Sequence, residues 1–170
     1  MNSNAAGESA NPQFGIHTQY VKHLNFENMH MPDEFFSIRN KSKIDVKIDV
    51  EVDPLSEGSY EISLRIIANS RLDETLLFHF DLTYAAVFYI SGIAKDSIQA
   101  LLLIECPKAI FPFARRVIFE TTRESGHAPL MLSPIDFLSH FLNRQTSIPF
   151  RQRRIIFTSK KSNMSIFWNI

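Results

Sequence analysis

Between Lys43 and Asp53 the chain reads KIDVKIDVEVD. Ile44, Val46, Ile48, Val50 and Val52 alternate with Lys43, Asp45, Lys47, Asp49, Glu51 and Asp53. One side wholly aliphatic and the other wholly ionised, at a period of two, predicts a half-buried β-strand. The same period precedes it. Phe14, Ile16, Thr18, Tyr20, Lys22, Leu24 and Phe26 share one side of a first strand, with Thr18 and Lys22 interrupting the apolar row. His17, Gln19, Val21, His23, Asn25 and Glu27 take the other side. Pro54 and SEGS (56–59) make a turn. A third strand then places Tyr60, Ile62, Leu64 and Ile66 inward and Glu61, Ser63 and Arg65 outward. Leu72, Asp73 and Glu74 are a short hairpin connection to a fourth strand, Leu76 to Ile90. Its even positions are apolar, and its odd ones include His79, Asp81 and Thr83. Four strands joined this way predict an antiparallel meander with one dry and one wet face.

After Gly92 the period changes. Ile98, Leu101, Leu102 and Glu105 fit a short helix. A second is expected from about Pro107 to Glu124, with Pro107 at its first position, Pro112 kinking it or delaying its start, and Gly126 ending it. Beyond the loop HAPLML (127–132), Ser133 as N-cap and Pro134 at the first position open a third helix, with Ile135, Leu138, Phe141 and Leu142 as its stripe. Strands first and helices after them make an α+β fold: a four-stranded antiparallel sheet with helices packed on one face. The long fourth strand and IFPFARRVIF (110–119) carry more large apolar groups than one sheet face needs to bury. The surplus belongs to an oligomer interface or receives a ligand.

Composition narrows the classes. The chain has 170 residues and is 45% hydrophobic, which suits one globular domain. Residues 1–12 are small and polar and are expected to be disordered. The formal net charge is zero, but residues 151–170 hold five basic residues and no acids. Residues 1–150 therefore hold 13 Lys+Arg (18 less 5) against 18 Asp+Glu, a net charge of −5 that argues against a nucleic-acid-binding body. With one cysteine, Cys106, no intrachain disulfide forms. The N-terminus lacks the pattern of a signal peptide, and no run of 18 apolar residues occurs, so a cytoplasmic protein without stable membrane insertion is expected.

Catalytic patterns are missing. There is no glycine-rich phosphate loop, no G-x-S-x-G, no H-E-x-x-H and no paired-cysteine metal motif. The acids lie along strands as a solvated face rather than as a converging pair, so neither an enzyme nor a cofactor or metal site is expected. His23 and His79 have the placing to meet across paired strands, but further ligands are lacking. Cys106 beside Pro107 reads as a buried structural cysteine rather than a reactive thiol at a helix start.

Two segments carry a resemblance. ECPKAIFPFARRVI (105–118) and GHAPLMLSPIDF (126–137) resemble the signature of the bacterial export chaperone family SecB, C-P-x-x-x-F-P-[FY]-A-R followed by G-x-x-P-x-x-L-x-P-[VI]-[DN]-F. QYVKHLNFEN (19–28), YEISLRI (60–66) and VFYISGI (87–93) resemble its first strand, third strand and the end of its fourth. The similarity spans roughly residues 13–145, leaving 146–170 as a basic and aromatic tail.

The resemblance implies an ATP-independent holding chaperone that binds unfolded secretory precursor proteins and passes them to the translocation ATPase SecA. It implies a homotetramer in which two subunits pair their sheets and two dimers pack through their long helices. It implies that the wet face docks SecA, with His23, Glu27, His79 and Asp81 at the matching positions. His23 stands where the family commonly has an acid, and His79 where it commonly has an apolar residue. It further implies a client groove, here Val46, Ile48, Val50, Leu101, Leu102, Leu138 and Phe141. The alternative role is a SecB-like chaperone dedicated to one partner, such as a toxin–antitoxin pair. The family ends in a polar, often acidic segment. The basic end of this chain departs from that and is expected to be a poorly ordered extension, dispensable for assembly and client binding.

Overall fold

The computed structural model describes residues 12–29, 42–56, 58–142 and 153–158. The expected disordered segment 1–12 therefore lies, apart from Pro12, outside the described residues. So do most of the connection after Met29 and much of the tail. The elements are β1 (Gln13–Asn28), β2 (Lys43–Ser56), β3 (Ser59–Leu72), β4 (Thr75–Ser91), α1 (Lys95–Ala100), α2 (Cys106–Glu124), α3 (Phe137–Leu142) and β5 (Arg153–Thr158).

β2 forms where the alternation places it. Val50 is fully buried, and Val46 and Val52 are 9% exposed, on the dry side. Gly58, at φ 72°, turns the chain into β3, and its carbonyl accepts a 2.7 Å hydrogen bond from the Ile90 N–H of β4. A side chain at position 58 would meet the Ile90 carbonyl oxygen and require the left-handed backbone as well. β3 and β4 pair through Leu72 and Thr75 at the hairpin end and bury Ile62, Leu64, Ile66, Phe80, Leu82 and Phe88 completely.

The strand order is β1-β4-β3-β2-β5, with every neighbouring pair antiparallel. The meander expectation holds for β2, β3 and β4. β1 departs from it: it pairs with β4 rather than β2, so these two consecutive strands are not neighbours in the sheet. The tail expectation is also corrected, because Arg153–Thr158 pair with β2 as a fifth strand.

β1 contains two β-bulges, between Ile16 and Thr18 and between Val21 and His23. Each adds one residue and resets which face the next side chain takes. Thr18 and Tyr20 are thereby opposite Val87 and Ala85 on the wet face, while Gln19 and Val21 are opposite Ala86 and Tyr84 on the dry face. The sequence pattern had these four reversed. After the second bulge the parity returns, and Leu24 and Phe26 are dry as expected. The polar interruptions Thr18 and Lys22 thus mark the bulges.

The helices form one layer over β2, β3 and β4. α1 and α2 are not separate: Leu101–Glu105 link them as a π-helical turn, in which the Cys106 N–H donates to the Leu101 carbonyl five residues back. Such a turn is a wide, locally underwound insertion, and it sits just before Pro107, whose ring lacks a donor for the preceding turn. The helix continues through Pro112 to Gly126, whose φ of 83° ends it. Ser97–Glu124 is long and apolar enough by composition to cross a membrane. Here it lies on β3 and β4 as a core helix, burying Ile110, Ala114 and Ile118. α3 begins later than expected. Its N-cap is Asp136, which accepts the Ser139 N–H at 3.0 Å, and Ser133 precedes it in irregular chain.

Candidate functional site

The wet face of the sheet is a polar surface held by specific pairs. Across β3 and β4, Arg65 Nε and Nη2 donate to the two carboxylate oxygens of Asp81 at 2.9 and 2.6 Å. These hydrogen bonds, against the opposing effect of burial, hold the Asp81 carboxyl below its ordinary range. Across β1, β4 and β3, Lys22 Nζ and Tyr20 Oη both donate to Glu61 Oε1, at 2.6 and 3.1 Å. Burial pushes the Glu61 carboxyl up, but these donors outweigh it and the net shift is downward. Both donors sit on the wet face only because the bulges turn them there.

Between the two clusters is a depression of about 320 Å³ lined by Lys22, His23, Asp49, Glu51, Ser63, Arg65 and Thr83. His23 lies opposite Thr83, and His79 opposite Glu27, so the two histidines do not face each other. His79 Nδ1 donates to Asn69 Oδ1 at 2.7 Å, and Glu27 Oε1 accepts from Asn25 Nδ2 at 3.0 Å. Among the described residues no group of three His, Cys, Asp or Glu side chains is placed to hold a metal ion.

The dry face divides into a covered and an uncovered part. Under the helices Val50 and Leu102 are core, 0% and 1% exposed, and Val46 joins them. In this conformation the side chains of these three, which the resemblance gives to the client groove, are covered. Ile48 and Leu101 are partly buried against the core, and Leu138 on α3 is 50% exposed. The Phe141 side chain lies outside the described residues. The Leu101–Glu105 turn packs against β2, and α3 against that turn, so Ile48, Leu101 and Leu138 belong to neighbouring elements. Away from the helices, β1 leaves Phe14, Ile16, Val21 and Leu24 each at least 40% exposed on the dry side.

One junction was not foreseen. His127 Nε2 donates to Asn28 Oδ1 at 3.0 Å, and Asn28 Nδ2 donates to the Ser125 carbonyl at 3.0 Å. These bonds tie the end of α2 to the end of β1. Burial pushes the His127 pKa down. Cys106 is buried too, its thiol pushed up to about 12 by burial and by Glu105, which suits a structural role rather than a nucleophilic one.

Comparison with known proteins supplies the family. Residues 7–147 match the family model described as preprotein translocase subunit SecB. The protein-export protein SecB of Parvibaculum lavamentivorans is 38% identical over 151 residues, covering 84% of this chain and 90% of its own length. The chain belongs to the SecB family. The SecB of Mesorhizobium japonicum is 40% identical over 135 residues, covering 78% of this chain and 79% of its own. Among solved structures, the SecB-like chaperone Rv1957 of Mycobacterium tuberculosis, in complex with a peptide from the HigA1 antitoxin, superposes with a TM-score of 0.61 at 15% identity, over 72% of this chain and 90% of its own. That likeness is one of fold. The SecB match covers β1 to α3 and stops before β5, so the fifth strand lies outside the matched region.

Of the four positions that the SecB resemblance marks for docking, all lie on the wet face, on β1 and β4. The sequence pattern put Arg65 on that face as well but could not show that it engages Asp81. That pair leaves Glu27, which accepts from the neutral amide of Asn25, as the acid of the four without a cationic hydrogen-bond partner among the described residues.

Proposed function

We propose that this SecB-family protein is an ATP-independent holding chaperone for protein export, which keeps unfolded precursor proteins from folding in the cytoplasm and delivers them to SecA. The observation that carries this reading is family membership across residues 7–147, over nearly the full length of curated export proteins. The protein acts as a dimer of dimers. The uncovered dry side of β1, with Phe14, Ile16, Val21 and Leu24, supports this, because a contiguous apolar strip of that kind is stable in water only when covered.

Clients bind through apolar side chains that folded proteins hide. Ile48, Leu101 and Leu138 form the accessible part of the groove, with Phe141 beyond them on α3. Fully burying one large client side chain yields about 1.5–3 kcal/mol. Micromolar affinity needs about 8 kcal/mol net. Several shallow contacts repeated over four subunits reach that after ordering costs are met. SecA docks on the wet face, with Glu27 and His23 on β1 and His79 on β4 as contacts and Asp81 as a neutralised member.

Native mass spectrometry of the purified protein, alone and with a permanently unfolded polypeptide, tests this. A tetramer that takes up the unfolded chain and ignores its folded form is expected. A small oligomer with no uptake would overturn the reading.

A further inference from the structure

The two edges of the sheet are unlike. β1 ends the sheet on one side. On the other, β2 would be the edge, but the chain's own Arg153–Thr158 is hydrogen-bonded along Lys47 to Val52. Three of the six opposed pairs match in residue type. Ile155 stands opposite Val50, Phe157 opposite Ile48, and Arg154 opposite Glu51. Directly opposed positions share a face, so positions 155 and 157 fall in the row of Val50 and Ile48 and position 154 in the row of Glu51, while Arg153 is opposite Val52 and Ile156 opposite Asp49. The tail carries five basic residues against a body of net charge −5, so attraction between them acts in the same direction.

A strand edge offers main-chain donors and acceptors to any extended polypeptide, whatever its sequence. An unfolded chain is such a polypeptide, and Ile48 in the middle of this edge is one of the groove residues. We propose that Arg153–Thr158 is a built-in competitor for the edge of β2, which must leave before an extended segment of an unfolded client pairs there. This rests on the holding function proposed above and adds its regulation.

The energetics suit an exchangeable strand. β5 is six residues long and pairs on one side only, with β2. Short strands at a sheet margin open at little cost. Ten positions, 143–152, separate it from α3 in the sequence, and a segment of the same chain is presented at a local concentration on the order of millimolar. The strand is therefore usually seated yet displaceable. A competitor that occupies a site nine-tenths of the time weakens apparent affinity about tenfold, because only the vacant fraction binds.

The test compares the full chain with one ended at Ser147. Each is titrated with fluorescently labelled, reduced and carboxymethylated α-lactalbumin, a permanently unfolded polypeptide, and binding is followed by anisotropy. The shortened chain is expected to bind about tenfold more tightly, and a synthetic peptide of residues 151–160 to reverse the gain. Ile155→Pro in the full chain removes a main-chain donor from β5 and is expected to shift affinity the same way, which keeps the test decisive if the shortened chain fails to fold. Equal affinity in all three forms would overturn the competitor role and leave the holding function standing. Weaker binding by the shortened chain would overturn it as well, by making β5 part of the client surface. No binding by any form would overturn both readings.

Discussion

Arg65 on β3 and Asp81 on β4 are joined by two parallel hydrogen bonds, 2.9 and 2.6 Å long, on the face that the SecB resemblance assigns to SecA. The Asp81 side chain is 12% exposed and that of Arg65 35%. The pair is thus partly shielded, and its contribution is discounted for solvent on the arginine side. Asp81→Asn is expected to cost about 1 kcal/mol in urea denaturation at neutral pH. The folded pKa of Asp81 is lowered. Its stabilisation is therefore present above the unfolded value of about 4 and is lost as pH falls through the folded value. The variant should show a shallower loss of stability on that acid limb. An unchanged acid limb would show that the pair is not made in solution.

The same pair ranks the docking residues. Asp81 already faces a guanidinium, whereas Glu27 accepts from the neutral amide of Asn25. Glu27→Lys is expected to weaken SecA binding at low salt several-fold more than Asp81→Asn, because an exposed rim charge steers association. Calorimetric titration with SecA at two salt concentrations measures this. Equal losses would place the contact nearer β4 and His79 than β1.

Much of the fold was legible because its strongest signals are local. The β2 alternation, from Ile44 to Val52, needs no partner to be read. The faces of β1 were not legible in the middle, since a bulge is set by which partner residues it skips, and that partner is β4 in the distant register of Val87 to Thr83. Thr18 and Lys22 stood out as wrong for an apolar row, and their oddity was the available sign. The helix was divided at Cys106 and Pro107 because a proline there suits a new start equally well. A π-helical turn has no composition of its own. Groove residues blurred with core for a related reason. Val50 and Ile48 have the same chemistry and the same parity, and only the position of the Leu101–Glu105 turn over β2 buries one more than the other.

His127 gives a second pH dependence, with its own window. Burial lowers its folded pKa, so its contribution is present above the unfolded value of about 6.5 and is lost as pH falls through the folded value. The ring that bonds Asn28 and lies 5.1 Å from Phe78 between centroids is buried, so charging it there costs desolvation. The urea midpoint is expected to fall between pH 7 and pH 5, and His127→Gln should remove most of that slope. A slope that survives the substitution would assign it to another group.

The uncovered side of β1 is the surface proposed for assembly. Val21 and Leu24 are 44% and 45% exposed on the dry face. A charge at either is tolerated by a free subunit but not by an apolar interface. Val21→Asp with Leu24→Asp is expected to lower the oligomeric state in native mass spectra while leaving the far-ultraviolet circular dichroism unchanged. A tetramer that persists would move the interface away from this strip.

Groove and core separate by exposure, and substitution reads the difference. Leu102, in the π-helical turn of the helix layer, is 1% exposed, so Leu102→Ala leaves a cavity and is expected to cost about 3 kcal/mol of stability. Any loss of client binding there should track the unfolded fraction. Leu138 is half exposed on α3, so Leu138→Ser is expected to change stability by no more than about 0.5 kcal/mol. Its effect is expected to fall on client binding, through the loss of one exposed apolar contact per subunit. Ile48→Asp is intermediate, partly buried and central to the β2 edge, and is expected to weaken client binding in a protein that stays tetrameric. Denaturation curves and anisotropy titrations on the three variants, run together, give the two coordinates. If client affinity followed stability alone across all three, these residues would be core without a groove, and the client would have to bind on other surfaces of the tetramer.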